Sequence, residues 1–285
     1  MKKIAFLGPE GTVSEESTRY FFSDMTVELV PFKLISDVFL ATESGKTNYS
    51  VIPIENAIEG SVSLHMDWLV HEVDLPIQAE WTYPSRQNLI GNAKELGSDL
   101  SNIKKVYSHP VAIAQCKPYL KSHLPDVEFE YVSTAEGVRI VKNNPNKGYT
   151  AIGTDLAAKK YGLNVLSKHI HEHDDNFTRF MLVGKESLTE IKKTKHIKTS
   201  ILVTLPEDYP GALHQVLSTF AWRRINLSRI ESRPTKKKLG SYYFYIEIEE
   251  SLDSILLTAA IQEIEAIGCK VRTLGCFPSF SYVND

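Results

Sequence analysis

Tyr49-Ser50-Val51-Ile52-Pro53-Ile54 is apolar at nearly every position, and Glu55-Asn56 ends the run. A strand with one wet face alternates polar and apolar residues, whereas a near-continuous run needs cover on both faces. Helices supply that cover, so the run implies a parallel or mixed α/β sheet. Its neighbours fit this reading. Ile4-Ala5-Phe6-Leu7 and Val27 to Phe32 read as strands, and Asp37 to Ser44 as a helix with Val38, Leu40 and Ala41 inward. Thr12 with Glu15 forms a capping box at the start of a first helix. Gly60-Ser61 leads into another helix through Trp68 and Leu69.

After residues 73–79 the pattern restarts. Lys105-Val106-Tyr107 is a strand cut by Ser108-His109-Pro110, and Pro110 opens a helix to Leu120. Phe129 to Val132 is a strand, and Ser133 caps a helix to Val141. Tyr149 to Ile152 is a strand stopped by Gly153-Thr154-Asp155, followed by a helix with Ala157 and Ala158, then a strand over Leu163 to Leu166. Asn176 to Val183 returns to the first unit, which makes two lobes with a cleft. Glu186 to Lys198 is polar and lysine-rich and reads as a linker. Beyond it, strands at 199–205, 227–232, 242–248 and 270–275 and helices at 211–222 and 252–267 spell βαββαβ, the ferredoxin-like order.

A chain of 285 residues accommodates about two domains. The net charge of -3 gives no electrostatic footprint for nucleic acid, and Lys236-Lys237-Lys238 beside a glycine reads as a solvated turn. No stretch approaches the roughly 18 apolar residues of a membrane span. The apolar run after Met1-Lys2-Lys3 is too short for a signal peptide. Cys116, Cys269 and Cys276 are odd in number and lack CxxC spacing, which points to a reduced, cytoplasmic protein.

Four polar breaks follow the carboxyl ends of strands, where open α/β sheets bind ligands. Thr12, Asn56, Ser108 and Thr154 should therefore face one crevice, with helix N-termini offering N–H groups to an anion. Gln115 lies two turns into the helix after Ser108. Gly8-Pro9-Glu10-Gly11-Thr12 is neither a phosphate loop nor a dinucleotide fingerprint. In Asn176-Phe177-Thr178-Arg179-Phe180 a loop becomes a strand, and a hydroxyl and a guanidinium stand between two phenylalanines. Thr178 can donate to an oxygen that gains charge, and Arg179 can clamp an anion. His169-x-His171-x-His173 reads as a solvated loop rather than a zinc site, because the run is polar and lacks separated rigid elements. Cys116 reads as buried packing.

In combination these motifs resemble the prephenate dehydratases over nearly the whole chain. The resemblance rests on Gly-Pro-Glu-Gly-Thr-Val-Ser at 8–14, Pro-Ile-Glu-Asn at 53–56 with Glu-Gly-Ser-Val at 59–62, and Ser-His-Pro at 108–110 with Ala-Gln-Cys at 114–116. Ala-Ile-Gly-Thr at 151–154 with Tyr-Gly-Leu at 161–163, and Asn176 with Thr-Arg-Phe at 178–180, complete it. The C-terminal part resembles an ACT regulatory domain through Pro-Gly-Ala-Leu at 210–213 and Glu-Ser-Arg-Pro at 231–234. Two departures stand out, Ala57 where the family usually has Ser and Val111 where it often has Gln.

The resemblance implies a two-lobed α/β catalytic domain of periplasmic-binding-protein type (type II) over residues 1–185, with lobe 1 at about 1–79 and 168–185 and lobe 2 at about 80–167. It further implies a linker at 186–198, an ACT domain of βαββαβ order at 199–276, and a tail at 277–285. The implied reaction is the decarboxylative dehydration of prephenate to phenylpyruvate, with no cofactor and no metal. Thr178 is then the group at the leaving hydroxyl, and Thr12, Glu55, Asn56, Ser108, Gln115, Thr154, Arg179 and Phe180 are substrate-site candidates. Thr12 and the amides after Gly11 are candidates for the side-chain carboxylate. Arg179 alternates with Thr178 and Phe180 and is also read as orienting the loop. L-Phenylalanine is the implied effector, at Gly211, Ala212, Leu213, Asn226, Leu227, Glu231, Ser232, Arg233 and Pro234, in a homodimer or homotetramer, with neither nucleic acid nor membrane as partner. Three other readings stand beside this one. A solute-binding module predicts binding without turnover, an arogenate dehydratase uses the amino analogue with Glu55 facing its ammonium, and a metallohydrolase loses activity to chelator.

Overall fold

The structure is a computed structural model that describes residues 1–97, 100–188, 194–207, 209–236 and 242–283. The chain forms two compact units. One holds residues 1–73 and 82–180, the other 74–81 and 181–283.

The first unit opens with β1 (Lys2–Leu7), α1 (Val13–Phe21), β2 (Val27–Phe32), α2 (Ile35–Glu43), β3 (Tyr49–Asn56), β4 (Gly60–Ser61) and α3 (Ser63–His71). Strands β1, β2 and β3 are parallel, with Ile4 opposite Leu29 and Tyr49. Ile4, Ala5 and Phe6 are all fully buried, so both faces of this sheet are covered. Val38 and Ala41 of α2 are buried as expected. Leu40 is a correction, because it is 43% exposed. Ile35 and Phe39 take the inward face instead, one turn apart.

Next come β5 (Ile77–Pro84), β6 (Asn88–Gly91), α4 (Ala93–Leu96), β7 (Lys105–Ser108), α5 (Pro110–Gln115), α6 (Lys117–His123), β8 (Glu128–Tyr131), α7 (Thr134–Asn143), β9 (Tyr149–Gly153), α8 (Asp155–Tyr161), β10 (Asn164–Ser167) and β11 (Phe177–Val183). A second sheet has the order β10-β6-β9-β7-β8. Adjacent residues of one strand serve opposite layers. Leu89, Val106 and Ile152 pack under Ala112, Ile113 and Leu120. Ile90, Tyr107 and Ala151 pack under Val138, Val141, Ala157 and Ala158. Helix α7 crosses β7 at Gly137, where a Cβ would come within 2.8 Å of the Tyr107 carbonyl oxygen. The single helix expected over 110–120 is two. It breaks at Cys116 (φ -102°, ψ 6°), just before Pro118, which lacks the N–H an uninterrupted helix would use. Strand β11 lies beside β3, so the chain does return to the first sheet.

The second unit contains β12 (Ile197–Thr204), α9 (Ala212–Trp222), β13 (Leu227–Pro234), β14 (Tyr242–Ile248), α10 (Ile255–Ala266) and β15 (Lys270–Phe280). Its antiparallel sheet runs β13-β14-β12-β15, the ferredoxin-like arrangement. Ile201, Val203, Phe244, Ile246 and Ile248 form the core with Val216, Phe220, Leu257, Ala260 and Ile264 from the helices. The last strand does not stop at Gly275. It continues to Phe280 and pairs in parallel with β5, Ser279 opposite Glu80. Glu80 is buried there, held by Lys198 Nζ at 2.6 Å and by the Ser279 hydroxyl at 2.7 Å. Part of the stretch read as a linker, and most of the lysine cluster at 236–238, lie outside the described residues.

No helix among the described residues is long and apolar enough to cross a membrane.

Candidate active site

Strand β11 brings Thr178 next to the end of β3, so residues 122 apart in sequence meet. Asn56 Nδ2 donates to Thr178 Oγ1 at 3.0 Å and to Asn176 Oδ1 at 2.8 Å. The amide cannot turn over, because Asn56 Oδ1 already accepts the N–H groups of Ile58 (3.0 Å) and Glu59 (3.2 Å). This Asx turn follows from a strand that ends in Asn and doubles back into β4, with Asn56 opposite Gly60.

Asn176 is the hub of the cluster and is buried. Its Nδ2 donates to Gln115 Oε1 at 3.0 Å and to the Ser85 carbonyl at 3.4 Å, and its own carbonyl accepts the Ser85 N–H at 2.7 Å. The end of β3 (Asn56), the residue after β5 (Ser85) and the end of α5 (Gln115) thus meet on one side chain. Ser85 Oγ lies 2.7 Å from Thr178 Oγ1. Thr178 itself is only half-buried. Because Gln115 Oε1 takes the Asn176 bond, its Nε2 hydrogens are not used there.

Arg179 points away from Thr178, as strand alternation requires, and pairs with Glu55 at 3.2 Å. That pair engages the carboxylate that the arogenate reading gave to an ammonium. Phe180 is fully buried and anchors the strand.

The other three strand-end residues do not join this cluster. Thr12 caps α1, accepting the Glu15 N–H at 3.4 Å and donating to the Leu7 carbonyl at 3.3 Å. Glu15 does not close the box on Thr12. It accepts the Gly11 N–H at 2.7 Å, so that amide is not open to a carboxylate. Thr154 caps α8 and donates to the Gly11 carbonyl at 2.8 Å. Ser108 is fully buried and donates to the Ile152 carbonyl at 2.9 Å, a tie between β7 and β9. Helix caps and sheet ties use the same residue types as ligand loops, which is why the sequence could not separate them.

Thr154 and Gly11 belong instead to a junction between the start of α1 and α8. Lys160 Nζ reaches Glu15 at 2.6 Å and Glu10 at 3.1 Å, and Glu16 Oε1 accepts the Leu156 N–H at 2.9 Å. Burial pushes the Glu15 carboxyl up, but Lys160, the Gly11 N–H and Arg19 outweigh it and hold it below the usual carboxylate range. Glu16 ends above that range, because burial outweighs its bond to Leu156. Beside this junction is a cavity of about 400 Å³ lined by Glu16, Arg19, Tyr83, Arg86, Asp155 and Lys159 among others. Neither Thr178, Asn56, Asn176 nor Gln115 lines it.

His169 adopts φ 51° and its ring meets that of His171 edge-on at 6.0 Å, outside any strand. Among the described residues no group of three His, Cys, Asp or Glu is placed to hold a metal ion. Cys116 is fully buried, and burial pushes its thiol up to about 12.

In the second unit the effector candidates divide between the faces of the sheet. Leu213 and Leu227 pack on the helix-side core. Glu231 and Arg233 sit on the opposite face, where Arg229 bonds Glu231 at 2.7 Å and stacks 5.5 Å from the Tyr245 ring. Gly211 (φ 95°) supplies the left-handed turn before Ala212, and Asn226 donates to Glu249 at 2.6 Å. Ser232 and Pro234 are exposed on β13, the edge strand.

Two residues central to the geometry were missing from the sequence-derived site. Asn176 had a signal, since it opens the Thr178 stretch. Ser85 follows the carboxyl end of β5, much as Asn56 ends β3, but nothing in the sequence marks that strand end as part of the site.

Residues 4–188 match the family described as PDT, prephenate dehydratase, and residues 199–266 match the ACT domain. The chain is 39% identical to the prephenate dehydratase of Bacillus subtilis, covering 98% of this chain and 99% of that one. It is similar to a solved prephenate dehydratase in complex with L-Phe from Arthrobacter aurescens, with a TM-score of 0.85 and 32% identity over 97% of this chain and 89% of that one. It also resembles a solved structure described as GqqA, a quorum-quenching acylase, with a TM-score of 0.84 and 25% identity over 98% of each chain. The match over residues 4–188, with the near full-length relatives, shows that this chain belongs to the prephenate dehydratase family and carries an ACT domain behind the catalytic part.

Proposed function

We propose that the chain converts prephenate to phenylpyruvate, with loss of carbon dioxide and water, and that Thr178 supplies the hydrogen bond to the departing hydroxyl. The observation that carries this is the pair of contacts on Thr178 Oγ1, from Asn56 at 3.0 Å and Ser85 at 2.7 Å. The electron pair of the breaking carbon–carboxylate bond enters the ring as the hydroxyl leaves, and the substrate dianion takes up one proton overall. The protein therefore needs a donor at the leaving oxygen and a poorly solvated place for the carboxylate. A threonine hydroxyl held by an amide donor fits the first need. Gln115, whose Oε1 is taken by Asn176, has its Nε2 hydrogens left to orient the substrate. Acyl hydrolysis finds less support, because the partners of Thr178 Oγ1 are Asn56 and Ser85, and neither is a base. The nearby cavity is a poorer candidate for the reacting centre, since its Arg19 and Glu16 are already engaged by Glu15 and the Leu156 N–H.

The ACT domain is the proposed site of L-phenylalanine control. Because its candidate residues stand on two faces of one sheet, a complete pocket calls for a second copy of the chain against edge strand β13. The overall reaction is that of a carbon–oxygen lyase, and three free cysteines suit a reducing cytoplasm. The test is purified chain with prephenate at neutral pH, following phenylpyruvate with and without L-phenylalanine. Turnover suppressed by L-phenylalanine supports both assignments, and binding of prephenate without product would overturn the first.

A further inference from the structure

Ser85 is buried at 6% exposure and held from two sides by one residue. Its N–H donates to the Asn176 carbonyl at 2.7 Å, and its carbonyl accepts from Asn176 Nδ2 at 3.4 Å. The hydroxyl is left facing Thr178 Oγ1 at 2.7 Å, and either oxygen can be the donor. A hydroxyl has one proton and two acceptor sites. Asn56 Nδ2 fills one acceptor site of Thr178, and the Asx turn prevents that amide from flipping.

Two arrangements remain. If Thr178 donates to Ser85, its only proton is used inside the protein and none reaches a ligand. If Ser85 donates to Thr178, both acceptor sites are filled and the Thr178 proton has only the cleft to point to. A leaving oxygen that gains negative charge favours the second, because only there does it meet a donor. Successive hydroxyls in such a chain also polarise one another in the same sense. We infer that Ser85 is a positioning residue that donates to Thr178 and thereby aims the Thr178 proton at the leaving hydroxyl of the substrate. This inference rests on the reaction proposed above. It assigns Ser85 no contact with substrate, so its effect belongs to kcat and passes entirely through Thr178.

The experiment is steady-state kinetics on prephenate for the wild type, Ser85→Ala, Ser85→Gly, Ser85→Thr, Thr178→Ala and the Ser85→Ala/Thr178→Ala double variant, each checked for a native urea midpoint. A neutral hydrogen bond is worth about five- to tenfold in rate. The expected result is that kcat falls by about that factor in Ser85→Ala and Ser85→Gly alike, with KM unchanged. Ser85→Thr should restore most of the rate, and the double variant should be no slower than Thr178→Ala. Wild-type kcat in a folded Ser85→Ala would overturn the inference while leaving the dehydratase reading standing. A double variant slower than Thr178→Ala by the full Ser85→Ala factor would overturn it too, since Ser85 would then act independently of Thr178. An inert wild type removes the reaction, and the inference with it.

Discussion

Replacing Asn176 by alanine removes three side-chain hydrogen bonds from one buried position: to Asn56 at 2.8 Å, to Gln115 at 3.0 Å and to the Ser85 carbonyl at 3.4 Å. A buried bond whose partner is left unsatisfied costs about 1–3 kcal/mol. Asn56 keeps Thr178 as acceptor, and half-buried Gln115 can take up water, so both fall at the low end. The third bond is long and weak. The sum is a loss of about 2–4 kcal/mol in stability, read from the urea midpoint at constant slope. The rate should fall further than stability alone explains. With the hub gone, Asn56 and Gln115 are no longer held to the same point, and two mispositioned donors correspond to about 10- to 100-fold in kcat. Initial rates on prephenate without urea check this, on variant protein whose unfolding curve has a folded baseline there. An Asn176→Ala protein with lowered stability but wild-type kcat would refute the claim that this side chain sets the site geometry.

Other outcomes follow from the same contacts. Burial raises the Glu16 carboxyl, so its folded state binds the proton more tightly than the unfolded chain does. Stability from this group is therefore greatest below the unfolded value of about 4.3 and is lost as pH rises through the raised one. Glu16→Gln keeps an acceptor for the Leu156 N–H and should raise the urea midpoint at pH 7, with the gain vanishing in acid; an equal gain at both ends would contradict the assignment. In the second unit, Lys198→Met strands the buried Glu80 carboxylate and should cost about 3–5 kcal/mol, whereas adding Glu80→Gln should recover much of it. Unfolding curves of the two variants that coincide would show that the pair is not charged in the way the geometry implies.

The layers of the fold were readable because their signals are local. Near-continuous runs such as 49–54 need two covering layers, and the βαββαβ order needs only alternating periods. Elements without a period were not readable. Asn88–Gly91 is a four-residue strand with every residue buried, too short to show alternation. The break at Cys116 and the exposure of Leu40 depend on packing that no window of sequence contains. The site divides along the same line. Thr178, Asn56 and Gln115, three of the candidates, come together around Asn176, while Thr12, Thr154 and Ser108 share their chemistry but bond backbone groups. Ser85 could be placed only once β5 was seen to end beside β11's Thr178.

The central claim is that one hydroxyl, on Thr178, meets the leaving group. Phenylpyruvate formation from prephenate by the wild type and by Thr178→Ala, side by side at neutral pH, tests it most directly. Loss of a donor of this kind is worth on the order of 3 kcal/mol, so kcat should fall by about 10²–10³ with the urea midpoint nearly unchanged. A folded Thr178→Ala protein that turns over prephenate at the wild-type rate would contradict it.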